Sequence, residues 1–266
     1  MSPVRLVTFN VHHGVGDDAR HDLPRLARLL ADADPDVICL QEVDRHFAER
    51  SEHVDQALLL AAALDRELVW SPSIDQPGRG RTDRRQYGNA VLSRLPVRSS
   101  QVHRLPGSGE PRSALAVVVE TTAGPLHVVA THLSSASAAD RAAQATAIAG
   151  LRDGDEPWVL AGDLNADAGA PELDVLRQRF ADAWDLAADR SDQAGRFSLR
   201  GGRGLTHPAR RPRVRIDQVW VSAGVSVTDA RVLDGSATSD HHPLLVDLQG
   251  DVSRATRPAP APGDAG

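Results

Sequence analysis

Short apolar runs recur along the chain, and each stops at a glycine or a polar residue. Val4 to Phe9, Val37-Ile38-Cys39-Leu40, Leu126 to Ala130 and Trp158-Val159-Leu160-Ala161 are nearly unbroken, the pattern of buried strands. Leu68 to Trp70, Tyr87 to Ser93, Val97 to Leu105, Ala114 to Thr121, Arg215 to Ser222, Val225 to Leu233 and Leu244 to Leu248 are read as further strands. Leu23, Leu26, Leu29 and Leu30 follow helical spacing, with Asp22 as N-cap, Pro24 in the first turn and Asp34-Pro35 as the stop. A second helix is expected from about Asp55 to Asp65, with Leu58, Leu59 and Ala62 turned inward. Ala138 to Leu151 is an alanine-rich helix, and a short one is expected over Pro171 to Phe180.

Between these elements, Ser71 to Gln86 and Gln193 to Pro212 are polar, carry Gly and Arg, and read as loops. Strands outnumber helices, several are joined by short turns, and no linker or repeat divides the body. The expectation is therefore one α+β domain over residues 1–250, with mixed or largely antiparallel sheets and helices packed outside. From Asp251 to Gly266 the chain is Pro, Ala, Gly and charge without apolar period, which predicts a disordered tail.

Composition narrows the class. Of 266 residues, 41% are apolar and 25% charged, as in soluble globular proteins, and no run approaches the roughly 18 apolar residues of a membrane span. The start, Met1-Ser2-Pro3, shows no basic region followed by an apolar stretch, so no signal peptide is expected. A single cysteine, Cys39, excludes an intrachain disulfide framework and suits the cytoplasm; set between Ile38 and Leu40, it reads as a small buried hydrophobe. A monomer is expected. The net charge is -6 and every Lys/Arg position is arginine, so the broad basic footprint of a tight duplex binder is missing.

The chemistry sits where the apolar runs end. In Gly162-Asp163-Leu164-Asn165, alternation of faces lets Asp163 and Asn165 point the same way. Asn10, Glu42, His132, Asp217 and Asp240-His241 likewise follow or sit within apolar strands. Oxygen donors of this kind suit a hard cation such as Mg²⁺ or Mn²⁺, and the set holds no Cys/His cluster of a structural zinc site.

The residues Val7-Thr8-Phe9-Asn10, Leu40-Gln41-Glu42, Tyr87-Gly88-Asn89-Ala90-Val91-Leu92-Ser93, Thr131-His132-Leu133, Gly162-Asp163-Leu164-Asn165, Arg215-Ile216-Asp217 and Ser239-Asp240-His241-His242-Pro243-Leu244 occur in this order. That series resembles the endonuclease/exonuclease/phosphatase superfamily, the relatives of pancreatic deoxyribonuclease, over about residues 4 to 248. The resemblance implies a four-layer α/β/β/α sandwich with two sheets face to face, and hydrolysis of a phosphoester by water with a divalent metal. It implies Glu42 as principal metal ligand with Asn10 beside it, Asp240 as a further ligand, and Asp163 and Asn165 at the attacking water and the phosphate, Asp163 also near the metal. His241 matches the histidine facing the phosphorus, Asp217 the carboxylate orienting it, and His132 a phosphate-side donor. Asn89 and Arg112 resemble substrate-side groups. Between Asp163 and His241 as base, a carboxylate near a metal stays ionised and weakly basic, which favours His241.

For substrate, the opening Asn10-Val11-His12-His13-Gly14 and the stretch Thr206-His207-Pro208 look more like lipid- or sugar-phosphate-directed members than repair nucleases. A small or lipid-derived phosphoester leads. The alternative is a nuclease of DNA or RNA, for which the arginines of two loops, Arg79 to Arg85 and Arg196 to Arg215, could track a phosphate backbone. A third reading is a catalytically silent binding module, against which stand Glu42, Asp163, Asp240 and His241.

Overall fold

The computed structural model describes residues 3–78, 83–193, 199–200 and 202–250. The disordered tail expected for residues 251–266 lies outside the described residues. In chain order the elements are β1 (Val4–Asn10), α1 (Leu23–Ala33), β2 (Val37–Arg45), α2 (Gln56–Leu64), β3 (Glu67–Gln76), β4 (Arg85–Ser93), β5 (Val97–Arg104), β6 (Ser113–Thr121), β7 (Gly124–His132), α3 (Ala138–Ala149), β8 (Trp158–Asp163), α4 (Asp174–Arg177), β9 (Ala181–Asp182), α5 (Ala183–Leu186), β10 (Asp189–Asp192), β11 (Leu199–Arg200), β12 (Asp217–Val221), β13 (Val225–Val232) and β14 (Leu244–Gly250).

Two mixed sheets form the centre, ordered β11-β10-β13-β14-β1-β2-β4-β3 and β5-β6-β7-β8-β12-β9. One apolar layer lies between them: Leu6, Val37, Cys39 and Val91 of the first sheet face Leu115, Val128, Val159 and Val219 of the second. The opposite face of the first sheet, with Val7, Phe9, Ile38 and Leu40, packs on Leu26 and Leu30 of α1 and Leu60 and Leu64 of α2. The outer face of the second, with Val129, Leu160 and Trp220, packs on Ala145 and Ile148 of α3. The expected four-layer sandwich is what forms, because strands with apolar residues on both faces need a cover on each side. Asp22 caps α1 by accepting from the Arg25 amide at 2.9 Å, as its position before the leucine pattern predicts.

Three sequence readings are corrected. The α2 face is turned: Ala57, Leu60, Ala61 and Leu64 are buried, while Leu58 is 57% and Leu59 47% exposed. Every residue from Ala57 to Leu64 is apolar, so periodicity could not choose a face. The expected loop from Ser71 is strand as far as Gln76, paired out to Gln76↔Arg85. As the last strand of its sheet, β3 is partly open to water and its apolar pattern is diluted. The polar pairs β10 and β11, at the other edge, escaped notice for the same reason. Cys39 is buried and its thiol is pushed up to about 12 by burial alone, the behaviour of an inert hydrophobe.

Candidate active site

Strand ends from both sheets meet at one edge. Within the second sheet, His132 at the end of β7 pairs in register with Asp163 at the end of β8, and Asp163 pairs with Asp217 at the start of β12. Within the first, Asn10 ends β1 beside Gln41 of β2. The two sheets are joined at this edge by the Asn10 amide, whose Nδ2 donates to Glu42 Oε1 and to Asp163 Oδ2, each at 3.0 Å.

Glu42 reaches that position through the backbone. The β2–β4 register slips between Leu40 and Val43, and Glu42 has a left-handed φ of 58°. A bulge of this kind turns a side chain out of the alternation and costs energy for a residue other than glycine. Glu42 is half-buried, and among the described residues no arginine pairs with it. Asn165 also has a left-handed φ, 49°, and its amide N–H donates to Asp163 Oδ1 at 2.9 Å.

Asp163 can occupy the middle of the cluster only because β7 and β8 lie close. A Cβ on Gly162 would come within 2.0 Å of the Thr131 carbonyl oxygen. We expect Gly162→Ala to push these strands apart, costing about 1–3 kcal/mol and displacing the adjacent Asp163. Thermal unfolding measures the cost, and an unchanged Tm would show that the contact imposes none.

The electrostatics order the protons. His241 Nδ1 lies 2.8 Å from Asp217 Oδ2 and donates to it, leaving Nε2 outward, 3.8 Å from Asp163 Oδ2 and 3.9 Å from Asp240 Oδ1. Burial alone would lower the His241 pKa, but Asp217, Asp163 and Asp240 outweigh it and raise it to about 10. Asp163 is raised to about 7 by burial and by Asp217, against the lowering pull of His241 and of its hydrogen bonds. His132 is the opposite case. Arg112 Nη1 donates to its Nδ1 at 3.0 Å, so the ring proton sits on Nε2, which faces Asp163 Oδ2 at 3.5 Å. Burial, Arg112 and His241 hold His132 neutral, far below its ordinary pKa.

His13, on the loop after β1, is also kept neutral, lowered to about 3 by burial and by Arg50, His12 and His21. Its folded pKa lies below the unfolded value, so the stability it contributes is present above about pH 6.5 and is lost as pH falls toward 3. Tm is expected to fall over that window, and to fall less steeply in His13→Gln; parallel Tm–pH curves would remove His13 as a source.

A family model described as the Endonuclease/Exonuclease/phosphatase family matches residues 7–241. The chain belongs to this family. Among solved structures, it is similar to the endonuclease/exonuclease/phosphatase of Beutenbergia cavernae, with 29% identity over 94% of this chain and 72% of that one, TM-score 0.75. It shares its fold with a mannosyl-6-phosphatase of Bacteroides thetaiotaomicron (19% identity, 92% of this chain and 99% of that one, TM-score 0.71). The catalytic domain of human Nocturnin has the same fold (20% identity, 93% and 94%, TM-score 0.66). A search of curated proteins returned no match.

Of the residues that the motifs of this endonuclease/exonuclease/phosphatase chain single out, Asn10, Glu42, His132, Asp163, Asp217, Asp240 and His241 are brought together. Arg112 joins them through His132 and is buried, with Glu110 Oε1 at 3.0 Å. Asn89 Nδ2 donates to the Ser113 carbonyl, tying β4 to β6, and Asn165 Nδ2 donates to the Leu133 carbonyl. Asn10 Oδ1 accepts from the His12 amide, so the Asn10 nitrogen, which has no lone pair for a cation, faces the carboxylates.

The motifs left out several supports. Thr206 Oγ1 accepts from the Ile216 and Asp217 amides and so fixes the start of β12. Ser239 Oγ donates to the Asn10 carbonyl and accepts from the His241 amide, anchoring the Asp240-His241 loop to β1. His207 lays its ring against His241, centroids 4.5 Å apart. Single hydroxyls in loops carry no pattern of their own; only the position of Thr206-His207 upstream of Asp217 hinted at them.

Of the loop arginines offered for a nucleic-acid track, Arg203, Arg211 and Arg213 are exposed, while four others are engaged. Arg84 pairs with Asp75, Arg85 donates to the Phe47 carbonyl, Arg210 lies 3.6 Å from Asp17 and Arg215 pairs with Asp182 at 2.6 Å. Arg79, Arg81 and Arg196 lie outside the described residues. No helix among the described residues is long and apolar enough to cross a membrane.

Proposed function

We propose that this protein is a divalent-metal-dependent phosphoester hydrolase acting on a small or lipid-derived phosphoester. One observation carries the reading: an unbroken relay in which Asp217 orients His241, His241 and His132 face Asp163, and the Asn10 amide joins Asp163 to Glu42. Such a set supplies a proton acceptor, proton donors and a carboxylate facing solvent in one place.

Asp163 is the group we assign to take the proton of the attacking water. Its two oxygens accept the Asn10 and Asn165 N–H groups, which hold the carboxylate in place, and a pKa of about 7 matches proton transfer at neutral pH. His241, protonated and held by Asp217, is the donor to a phosphate oxygen or the leaving group. This reverses the preference for His241 as base, because the surrounding carboxylates keep its proton on. His132 adds a neutral Nε2–H donor on the other side. Asn165 orients Asp163 through its backbone, and Asn89 and Arg112 support the wall rather than the substrate.

The donors that remain fit a hard cation: Glu42, unpaired with arginine and aimed by a strained bulge, the free lone pair of Asn10 Oδ1, and the partly exposed Asp240. These residues would hold Mg²⁺ or Mn²⁺, which when bound withdraws charge from the phosphate and stabilises charge that grows in the transition state.

Ion pairing of Arg84 with Asp75 and of Arg215 with Asp182 takes part of the two arginine loops away from a nucleic-acid track, which supports a small substrate, and a buried lone Cys39 supports a reducing compartment such as the cytoplasm. A monomer remains our working state. Release of phosphate or alcohol from sugar phosphates, inositol phosphates and lysophospholipid head groups, assayed beside plasmid DNA and RNA with Mg²⁺ or Mn²⁺ and with chelator, tests the reading. Preferential cleavage of DNA or RNA would replace it with a nuclease; no hydrolysis of any ester would leave a silent binding module.

A further inference from the structure

We propose that His207, Asp240 and His241 form an alternative ion site, sharing Asp240 with the Glu42 cup but rich in nitrogen where that cup is all oxygen, which takes Zn²⁺ or a cation of similar softness and thereby stops turnover. The inhibitory consequence rests on the hydrolase reading above; the binding does not.

One ligand atom from each of the three residues lies within 4.8 Å of the other two. His241 Nε2 and Asp240 Oδ1 are 3.9 Å apart, and the His207 and His241 rings meet at 4.5 Å and 39°. Both imidazoles therefore border the space in front of the Asp240 carboxylate. His241 is buried while His207 and Asp240 are half-buried, which gives the space a wall and an opening. His12 Nδ1 is 3.7 Å from Asp240 Oδ1, but the same atom faces the Val15 carbonyl at 3.2 Å, so His12 stays outside the set.

His241 is prepared as a ligand. Its Nδ1–H is held by Asp217 at 2.8 Å, so Nε2 is the nitrogen left to face outward. A carboxylate behind the imidazole is the arrangement that fixes ring orientation and raises basicity at metal-binding histidines. Two imidazoles and one carboxylate with a fourth position open to solvent is the ligand count of an open zinc site. Mg²⁺ demands oxygen in octahedral geometry, so the two cups divide the cations by chemistry.

The cost to turnover follows from the shared atom. An ion at His241 Nε2 occupies the one ring nitrogen that faces Asp163 and the site, so the ring can no longer serve a phosphate oxygen or the attacking water.

Co²⁺, whose visible bands report coordination, is the probe. Titrated into the full chain without Mg²⁺, which would compete for Asp240, it is expected to give the intense bands of a low-coordinate ion, displaced by Zn²⁺. His207→Phe keeps a ring against His241 and is expected to weaken Co²⁺ binding by roughly tenfold or more, while Glu42→Gln leaves it unchanged. Zn²⁺ inhibition of Mg²⁺-supported hydrolysis should weaken in His207→Phe by the same factor. Equal Co²⁺ affinity and spectrum in wild type and His207→Phe would overturn the proposal, as would loss of the bands in Glu42→Gln alone. Should His207→Phe fail to fold, Co²⁺ broadening of the His207 ring protons in the wild type decides the matter, sharp signals counting against it. If no phosphoester is hydrolysed, the hydrolase reading falls while the Co²⁺ titration still decides the site.

Discussion

Glu42→Ala is expected to remove metal-dependent turnover while leaving Tm close to wild type. The carboxylate sits half-exposed on a bulge, accepts a single hydrogen bond from Asn10 and packs no part of the core, so its loss leaves no cavity. Its left-handed φ of 58° is unfavourable for alanine as for glutamate, so the backbone cost is shared by both. Loss of a principal ligand takes with it the charge withdrawal that a phosphoester anion needs, a contribution of several kcal/mol to the barrier. Isothermal titration with Mn²⁺ and turnover measured together check this: weakened binding and rate are expected in parallel. Full turnover in Glu42→Ala would show that the ion, if any, is held elsewhere.

His241→Ala is expected to lower turnover by about 10²–10⁴. Asp217→Asn gives the finer test. Asp217 is the strongest of the groups that keep the His241 proton on, so its neutralisation lets that proton leave at lower pH. With His241 as donor and Asp163 as acceptor, the rate rises as Asp163 ionises and falls as His241 loses its proton. The alkaline limb should therefore move toward acid by roughly 1–3 pH units in Asp217→Asn, while the acid limb, no longer raised by a neighbouring anion, also moves toward acid. An alkaline limb that stays in place would remove His241 from the donor role and return it to the base role that sequence reasoning favours.

Much of this was legible in the chain. Unbroken apolar strands such as Val37 to Leu40 announce a sheet covered on both faces, and the groups that cap them announce a site at the strand ends. What periodicity could not reach were uniform or polar segments. The Ala57 to Leu64 helix has no polar stripe to orient it, and the polar strands at the sheet edges lack an apolar face to betray them. Hydroxyl anchors such as Thr206 and Ser239 act through backbone amides far away in sequence, so no spacing marks them.

The order of apolar runs and their polar ends, by itself, determined an α+β domain with helices outside its sheets and the identity of the chemical groups, because burial and residue type are local properties. Which groups touch, and hence which proton sits where, was decided only by the tertiary structure. The register of β7, β8 and β12 sets Asp163 between His132, His241 and Asp217. Burial among like charges then raises its pKa, while Arg112 and Asp217 assign opposite charge states to the two imidazoles, and those couplings exist only when the strands are side by side.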